Sequence, residues 1–159
     1  MSKIKELFQD DKTIYVFDVD GVLCKMEFGD YNHYAFNDEK WAEAIIKDNL
    51  YLNEKPIKVM QEFINQLNIN NVYVVTKVMN KEEYLDKIEF LNKYYHILKE
   101  HIYLTYSKED KLNKLNEIKK NYPNIDDKYI VMIDDDVDVL NNIMDNSNYS
   151  TIHISSFLK

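Results

Sequence analysis

The chain has 159 residues, 45% of them hydrophobic, and a formal net charge of −8 from 20 Lys+Arg against 28 Asp+Glu. That size suits one domain with enough chain to bury a core, and the negative charge disfavours a polynucleotide partner. With two glycines in all, Gly21 and Gly29, the sequence forms neither a Walker loop nor a GxGxxG fingerprint, so any phosphate must be held another way.

The opening MSKIKELFQDDK has neither an apolar signal core nor a small-residue cleavage site, and Cys24, the only cysteine, has no partner for an internal disulfide. An intracellular, cytoplasmic setting is therefore expected. No apolar run has the length needed to cross a bilayer, so no membrane association is expected either. TIYVFDV, residues 13–19, reads as a β-strand, and FDVDGVL, residues 17–23, ends it in two carboxylates. Residues two apart on a strand share a side, so Asp18 and Asp20 are expected to converge where the strand runs out. Like charges held close raise each other's pKa unless a cation or several donors compensate, so the pair is either costly or useful.

From Cys24 to about Glu54 the chain is longer than a crossover needs, which predicts an insertion over the end of the first strand with a helix near 39–49. Its aromatics, Phe28, Tyr31, Tyr34, Phe36, Trp41 and Tyr51, are expected to form the insertion's own small core. A platform for stacking on a base is the alternative. His33 lies where it could touch a substrate, whereas His96, His101 and His153 read as structural or surface residues, since the histidines form no metal-ligand spacing. Cys24 reads as a small buried residue.

Beyond the insertion, PIKVMQEFINQL has apolar residues at 57, 59, 60, 63, 64 and 67, a helical spacing. NVYVVT, residues 71–76, reads as a strand ending in Thr76. KEEYLDKIEFLNKYYHIL follows as a helix with apolar positions at 84, 85, 88, 90, 91, 94, 95 and 98, and HIYLTY, residues 101–106, as a third strand. SKEDKLNKLNEIKKNY is a helix opened by Ser107 and Asp110, a carboxylate variant of the capping box, and stopped before Pro123. YIVMID at 129–134 and TIHIS at 151–155 complete the strands.

Strands alternating with helices predict an α/β fold on a mostly parallel five-stranded sheet, with ligands at the carboxyl ends of the strands. Those ends carry Asp18 and Asp20, Thr76, then Asp134, Asp135 and Asp136 with Asp138 just beyond; Lys108 and Lys111 open the helix before the fourth strand. Carboxylates gathered on one rim repel each other and suit a hard divalent cation such as Mg²⁺. A lysine and a hydroxyl beside that cation are what a transferring phosphoryl group needs.

FDVDGVL with both aspartates, Thr76 closing a hydrophobic strand, a lysine at a helix start and IDDDVD closing the next strand resemble the four motifs of the haloacid dehalogenase superfamily of phosphotransferases. The resemblance runs over roughly residues 13–145. It implies a Rossmann-like three-layer sandwich, a single domain over 1–159 with a small cap insertion at about 24–54. It further implies that Asp18 is a nucleophile forming an aspartyl-phosphate, and that Asp20 is first the general acid and then the base. Thr76 and Lys111 would hold phosphoryl oxygens, with Lys108 as the alternative lysine. Mg²⁺ would be held by Asp18, Asp20 and Asp134, with either Asp135 or Asp138 as the second acidic residue of the last motif. The activity implied is a Mg²⁺-dependent phosphomonoesterase acting on a small phosphorylated metabolite, with (deoxy)nucleoside monophosphates leading. The alternative is a non-catalytic, Mg²⁺-binding regulatory or partner-binding module, against which the presence of Asp20 argues. A phospho-accepting receiver-like domain is disfavoured because the third strand ends in TYSK, with no aspartate.

Overall fold

The computed structural model describes Phe8, residues 10–25 and 37–158, and the backbone of 27–28 and 31–32. Five strands form one parallel sheet: β1 (Ile14–Phe17), β2 (Val72–Lys77), β3 (Ile102–Thr105), β4 (Ile130–Asp134) and β5 (Ser150–His153), in the order β3-β2-β1-β4-β5. Five α-helices accompany them among the described residues: α1 (Asp38–Asp48), α2 (Lys58–Ile64), α3 (Lys81–Tyr95), α4 (Lys111–Lys120) and α5 (Val137–Asn146).

β1 is buried on both faces because it lies at the centre of the sheet, and its alternation divides the core in two. Tyr15 and Phe17 join Val72, Val74, Val131 and Ile133 beneath α1, α2 and α3, which contribute Trp41, Ile45, Met60, Phe90 and Leu91. Ile14 and Val16 join Tyr73, Val75, Ile130 and Met132 beneath α4 and α5, which contribute Leu115, Ile118, Val139 and Ile143. The result is the three-layer, Rossmann-like α/β sandwich that the sequence predicts. β1 has β2 on one side and β4 on the other, so the strand order reverses between β1 and β4, the position at whose carboxyl ends open α/β sheets hold ligands.

The helix expected near 39–49 is α1. Asn37 caps it by accepting from the Lys40 N–H at 2.9 Å, and Asn49, at φ 45°, ends it in the left-handed region. Its Trp41, Ala44 and Ile45, with Leu50 and Tyr51 beyond, lie in the core shared with α2 and α3. The expected separate core is thus not what these residues form, because one face of α1 is covered by α3. The expectations for Phe28, Tyr31, His33, Tyr34 and Phe36 concern side chains outside the described residues. Among the described residues no helix is long and apolar enough to cross a membrane.

α3 departs from the apolar spacing read in the sequence. Leu85 is 51% exposed, whereas Glu83 and Lys87 are buried with Phe90, Leu91 and Tyr95 on the inner face. Phe17→Ala, at the sheet centre, should cost about 3–5 kcal/mol in a urea or thermal melt, while Leu85→Ala should stay within about 0.5 kcal/mol of wild type. A large loss at Leu85 would contradict this facing of α3.

Candidate functional site

β1 ends at Phe17, two residues sooner than the sequence predicts, and this decides where the first two aspartates go. Asp18 still follows the sheet, its N–H donating to the Ile133 carbonyl of β4 at 3.0 Å. The chain then turns: the Val19 carbonyl accepts from the N–H groups of Leu23 and Cys24, both at 2.8 Å, and Gly21 takes φ 73°, a conformation that favours glycine. Strand alternation therefore does not carry through to Asp20. The expected convergence gives way to two carboxylates with different lysine partners, one in each helical layer.

Asp18 faces the α4 layer. Lys111, the first residue of α4, is 3% exposed and puts its Nζ 2.9 Å from Asp18 Oδ2 and 2.8 Å from Asp134 Oδ2. Burial alone would lower the Lys111 pKa, but the charges of Asp18 and Asp134 raise it, so the ammonium form holds. Asp134 closes β4, and its Oδ1 accepts from the Asp136 N–H at 3.0 Å. Carboxylate oxygens of Asp18, Asp134 and Asp135 lie within 4.8 Å of one another. Burial, then the Asp18 charge, pushes the Asp134 and Asp135 carboxyls up, Asp135 to about 6. Asp18 Oδ1 is buried and has no hydrogen-bond partner among the described residues. With all three ionised, three carboxylates against one ammonium leave two negative charges and an orphaned oxygen, a donor set that fits a divalent cation.

Of the two candidate lysines, Lys111 lies inside this group, while Lys108 is largely exposed and pairs with Asp136. Ser107 accepts from the Asp110 N–H at 3.2 Å, yet Asp110 makes no side-chain cap for α4, so only half of the expected capping box forms. Asp135 lies in the carboxylate group. Asp138 does not: it is exposed in the first turn of α5, whose N-cap is Asp136. The difference follows from α5 starting at Val137, which carries Asp138 away from the β4 terminus.

Asp20 also stands outside that group, with its carboxylate on the α1–α3 side. Oδ2 accepts from Lys87 Nζ at 2.7 Å, and Oδ1 accepts from the Tyr51 hydroxyl at 2.5 Å. The same ammonium donates to the Lys77 carbonyl at 2.6 Å and to Thr76 Oγ1 at 3.1 Å, and lies 3.0 Å from Glu83 Oε1. Burial would lower the Lys87 pKa; Asp20, then Glu83, raise it instead. Tyr51 has one hydroxyl proton, and the 3.3 Å separation from Glu83 Oε1 leaves that proton with Asp20. Glu83 is fixed in turn by the Met79 N–H at 2.7 Å on Oε2 and by its own N–H on the Asn80 N-cap at 2.8 Å.

Of the residues expected on one rim, the structure therefore brings Asp18, Lys111, Asp134 and Asp135 together and sets Asp20 and Thr76 in an adjoining cluster with Lys87, Glu83 and Tyr51, of which Lys87 and Glu83 are missed in the sequence. Two signals for the missed residues were present. Asn80-x-x-Glu83 has the spacing of a capping box, and Glu83, Lys87 and Leu91 recur every four residues on the face that carries Phe90. Cys24 is wholly buried, and burial pushes its thiol pKa far up, which suits a packing residue. No protein-family model matches this chain, and no protein of curated function matches it.

Asp135 ionises at about 6 in the fold, above its ordinary value of 3.8, so its ionisation costs stability. That cost is absent below about pH 4 and complete above about pH 6. In chelator at pH 8, Asp135→Asn should accordingly raise Tm by about 3 °C, on the order of 1 kcal/mol, and the gain should vanish near pH 4. A lower Tm at pH 8 would show that the three carboxylates do not strain one another.

Proposed function

We propose that this protein is a Mg²⁺-dependent phosphomonoesterase of the haloacid dehalogenase type, acting through an aspartyl-phosphate on Asp18. The observation that carries the reading is the Asp18 carboxylate, with one oxygen on the buried Lys111 and the other buried without a partner among the described residues, beside Asp134 and Asp135. A carboxylate is a weak nucleophile, and it attacks a phosphate ester only where the charge of the phosphoryl oxygens is neutralised. Asp18, Asp134 and Asp135 would hold Mg²⁺, which supplies that neutralisation as a Lewis acid.

Asp18 attacks phosphorus, and the ester P–O bond breaks as the leaving oxygen takes a proton from Asp20 in its acid form. Water then attacks the same phosphorus and gives a proton to Asp20. The bond between phosphorus and Asp18 breaks, releasing inorganic phosphate and restoring both groups. Lys111 stays protonated through the cycle and serves the phosphoryl oxygens in the positions it now shares between Asp18 and Asp134. Thr76 has a different surrounding from that role, since its hydroxyl is wholly buried against Lys87.

A small phosphorylated metabolite is the substrate class, and the net charge of −8 supports a mononucleotide over a polynucleotide within it. The single cysteine supports a reducing, cytoplasmic setting. Purified protein should hydrolyse a generic aryl phosphate and rank a panel of nucleoside monophosphates with Mg²⁺, and do neither in chelator. Asp18→Asn should lower kcat by at least about 10³-fold, and Asp20→Asn by about 10²–10⁴-fold, each with an unchanged fold by circular dichroism. A wild type that is inert, yet has a Tm raised by Mg²⁺, would replace this reading with that of a non-catalytic, metal-binding module.

A further inference from the structure

Resting on the phosphatase reading, we propose that Lys87 is a positioning residue that clamps the Asp20 carboxylate for proton transfer, with Tyr51 of the insertion completing the clamp. Lys87 is wholly buried, and a lysine in that state needs a compensating set of partners. An apolar residue at 87 would continue the inner stripe that Phe90 and Leu91 form on α3. Stability alone does not ask for an ammonium there, because a buried ion pair is commonly no better than apolar packing.

The geometry supplies the other reason. Thr76 and Lys77 at the end of β2 give two acceptors that fix the ammonium against the sheet, at 3.1 and 2.6 Å. Glu83, four residues earlier on α3 and itself held by the Met79 N–H, gives the counter-charge at 3.0 Å. What remains of the donor capacity is directed at Asp20 Oδ2, 2.7 Å away. Oδ1 meets the Tyr51 hydroxyl, so both oxygens of one carboxylate are held by donors from separate elements, α3 and the insertion. Donors on both oxygens match the carboxylate form, the state Asp20 reaches once it has given its proton to the leaving oxygen and in which it takes the proton of the attacking water. Thr76 then acts through Lys87, as a brace for the ammonium.

The test replaces the buried charge together with its counter-charge, Lys87→Met with Glu83→Gln, so that no unpaired ion is left in the core. Tyr51→Phe serves as a milder variant that removes one hydroxyl. With aryl phosphate and Mg²⁺, the double variant should lose about 10–100-fold in kcat and Tyr51→Phe about 3–10-fold, with KM within about 3-fold of wild type. The Mg²⁺-induced rise in Tm should persist, because Asp18, Asp134 and Asp135 are untouched. In an Asp20→Asn background the same changes should cause no further loss, since their effect passes through Asp20. Losses that multiply in that background, or a wild-type kcat in both variants, would overturn the positioning role while leaving the phosphatase reading in place. A wild type inert on every phosphate ester tested would overturn the phosphatase reading and the clamp with it.

Discussion

Carboxylates at the ends of β1 and β4 must coexist where parallel strands leave little room for water, and the rim depends on how that charge is met. Two buried lysines meet it from opposite layers. Lys111 comes from α4 to Asp18 and Asp134, and Lys87 comes from α3 to Asp20. Long stems let both ammoniums reach the rim from helices whose neighbouring side chains belong to the core. The division between them begins in β1: Val16 faces the α4–α5 layer and Phe17 the α1–α3 layer, Asp18 continues on the Val16 side, and the turn at Gly21 directs Asp20 to the other. A strand two residues longer would have sent both aspartates to one layer and left the second lysine with Glu83 but without Asp20.

The two clusters are not equally complete. Around Lys87, both Asp20 oxygens are hydrogen-bonded, and Glu83 is held at both oxygens by Lys87 and the Met79 N–H. Around Lys111, three carboxylates gather at one ammonium that pairs with Asp18 and Asp134, and Asp18 Oδ1 has no partner among the described residues. Buried polar groups are almost always paired, so the exception marks the place on this rim with a free coordination position. The satisfied cluster holds its residues in position, and the unsatisfied one has capacity for a ligand. The raised carboxyls of Asp134 and Asp135 express the same deficit in protonation: a cation entering there would favour their ionised forms.

What the sequence displays and what it hides follow from the same charges. Strands of apolar and β-branched residues are legible because a central parallel strand is buried on both sides, as β1, β2 and β4 are, and the partly buried edge strands β3 and β5 also fall on the apolar runs that predict them. The end of β1 is less legible, since Asp18 and Val19 continue the alternating pattern and only the turn hydrogen bonds on the Val19 carbonyl stop the strand. Lys111 stands out because it opens a helix one crossover before the aspartates of β4. Lys87 does not, because helical periodicity counts apolar residues and reads a charge as a solvent-facing position. Glu83 and Lys87 occupy inner positions of α3 while Leu85 occupies an outer one, so the spacing of apolar residues misplaces the face over the first two turns. Asp135 and Asp138 are equivalent in the motif, and only the start of α5 at Val137 separates the carboxylate at the strand end from the one on the helix.

Tyr51 connects the site to the insertion and limits how the insertion can move. A lid that swings over a crevice needs a loose attachment, yet the described part of this one is anchored: Trp41, Ala44, Ile45, Leu50 and Tyr51 are all buried in the core they share with α2 and α3. Lifting residues 37–54 together would expose Trp41 and Tyr51 and break the hydroxyl contact with Asp20 in one movement. Burial of two such rings is worth several kcal/mol, on the order of 1.5–3 for each large side chain, which sets a high cost on opening by that route. Residues 37–54 accordingly behave as part of the scaffold that orients Asp20, and access to Asp18 has to be compatible with α1 staying in place.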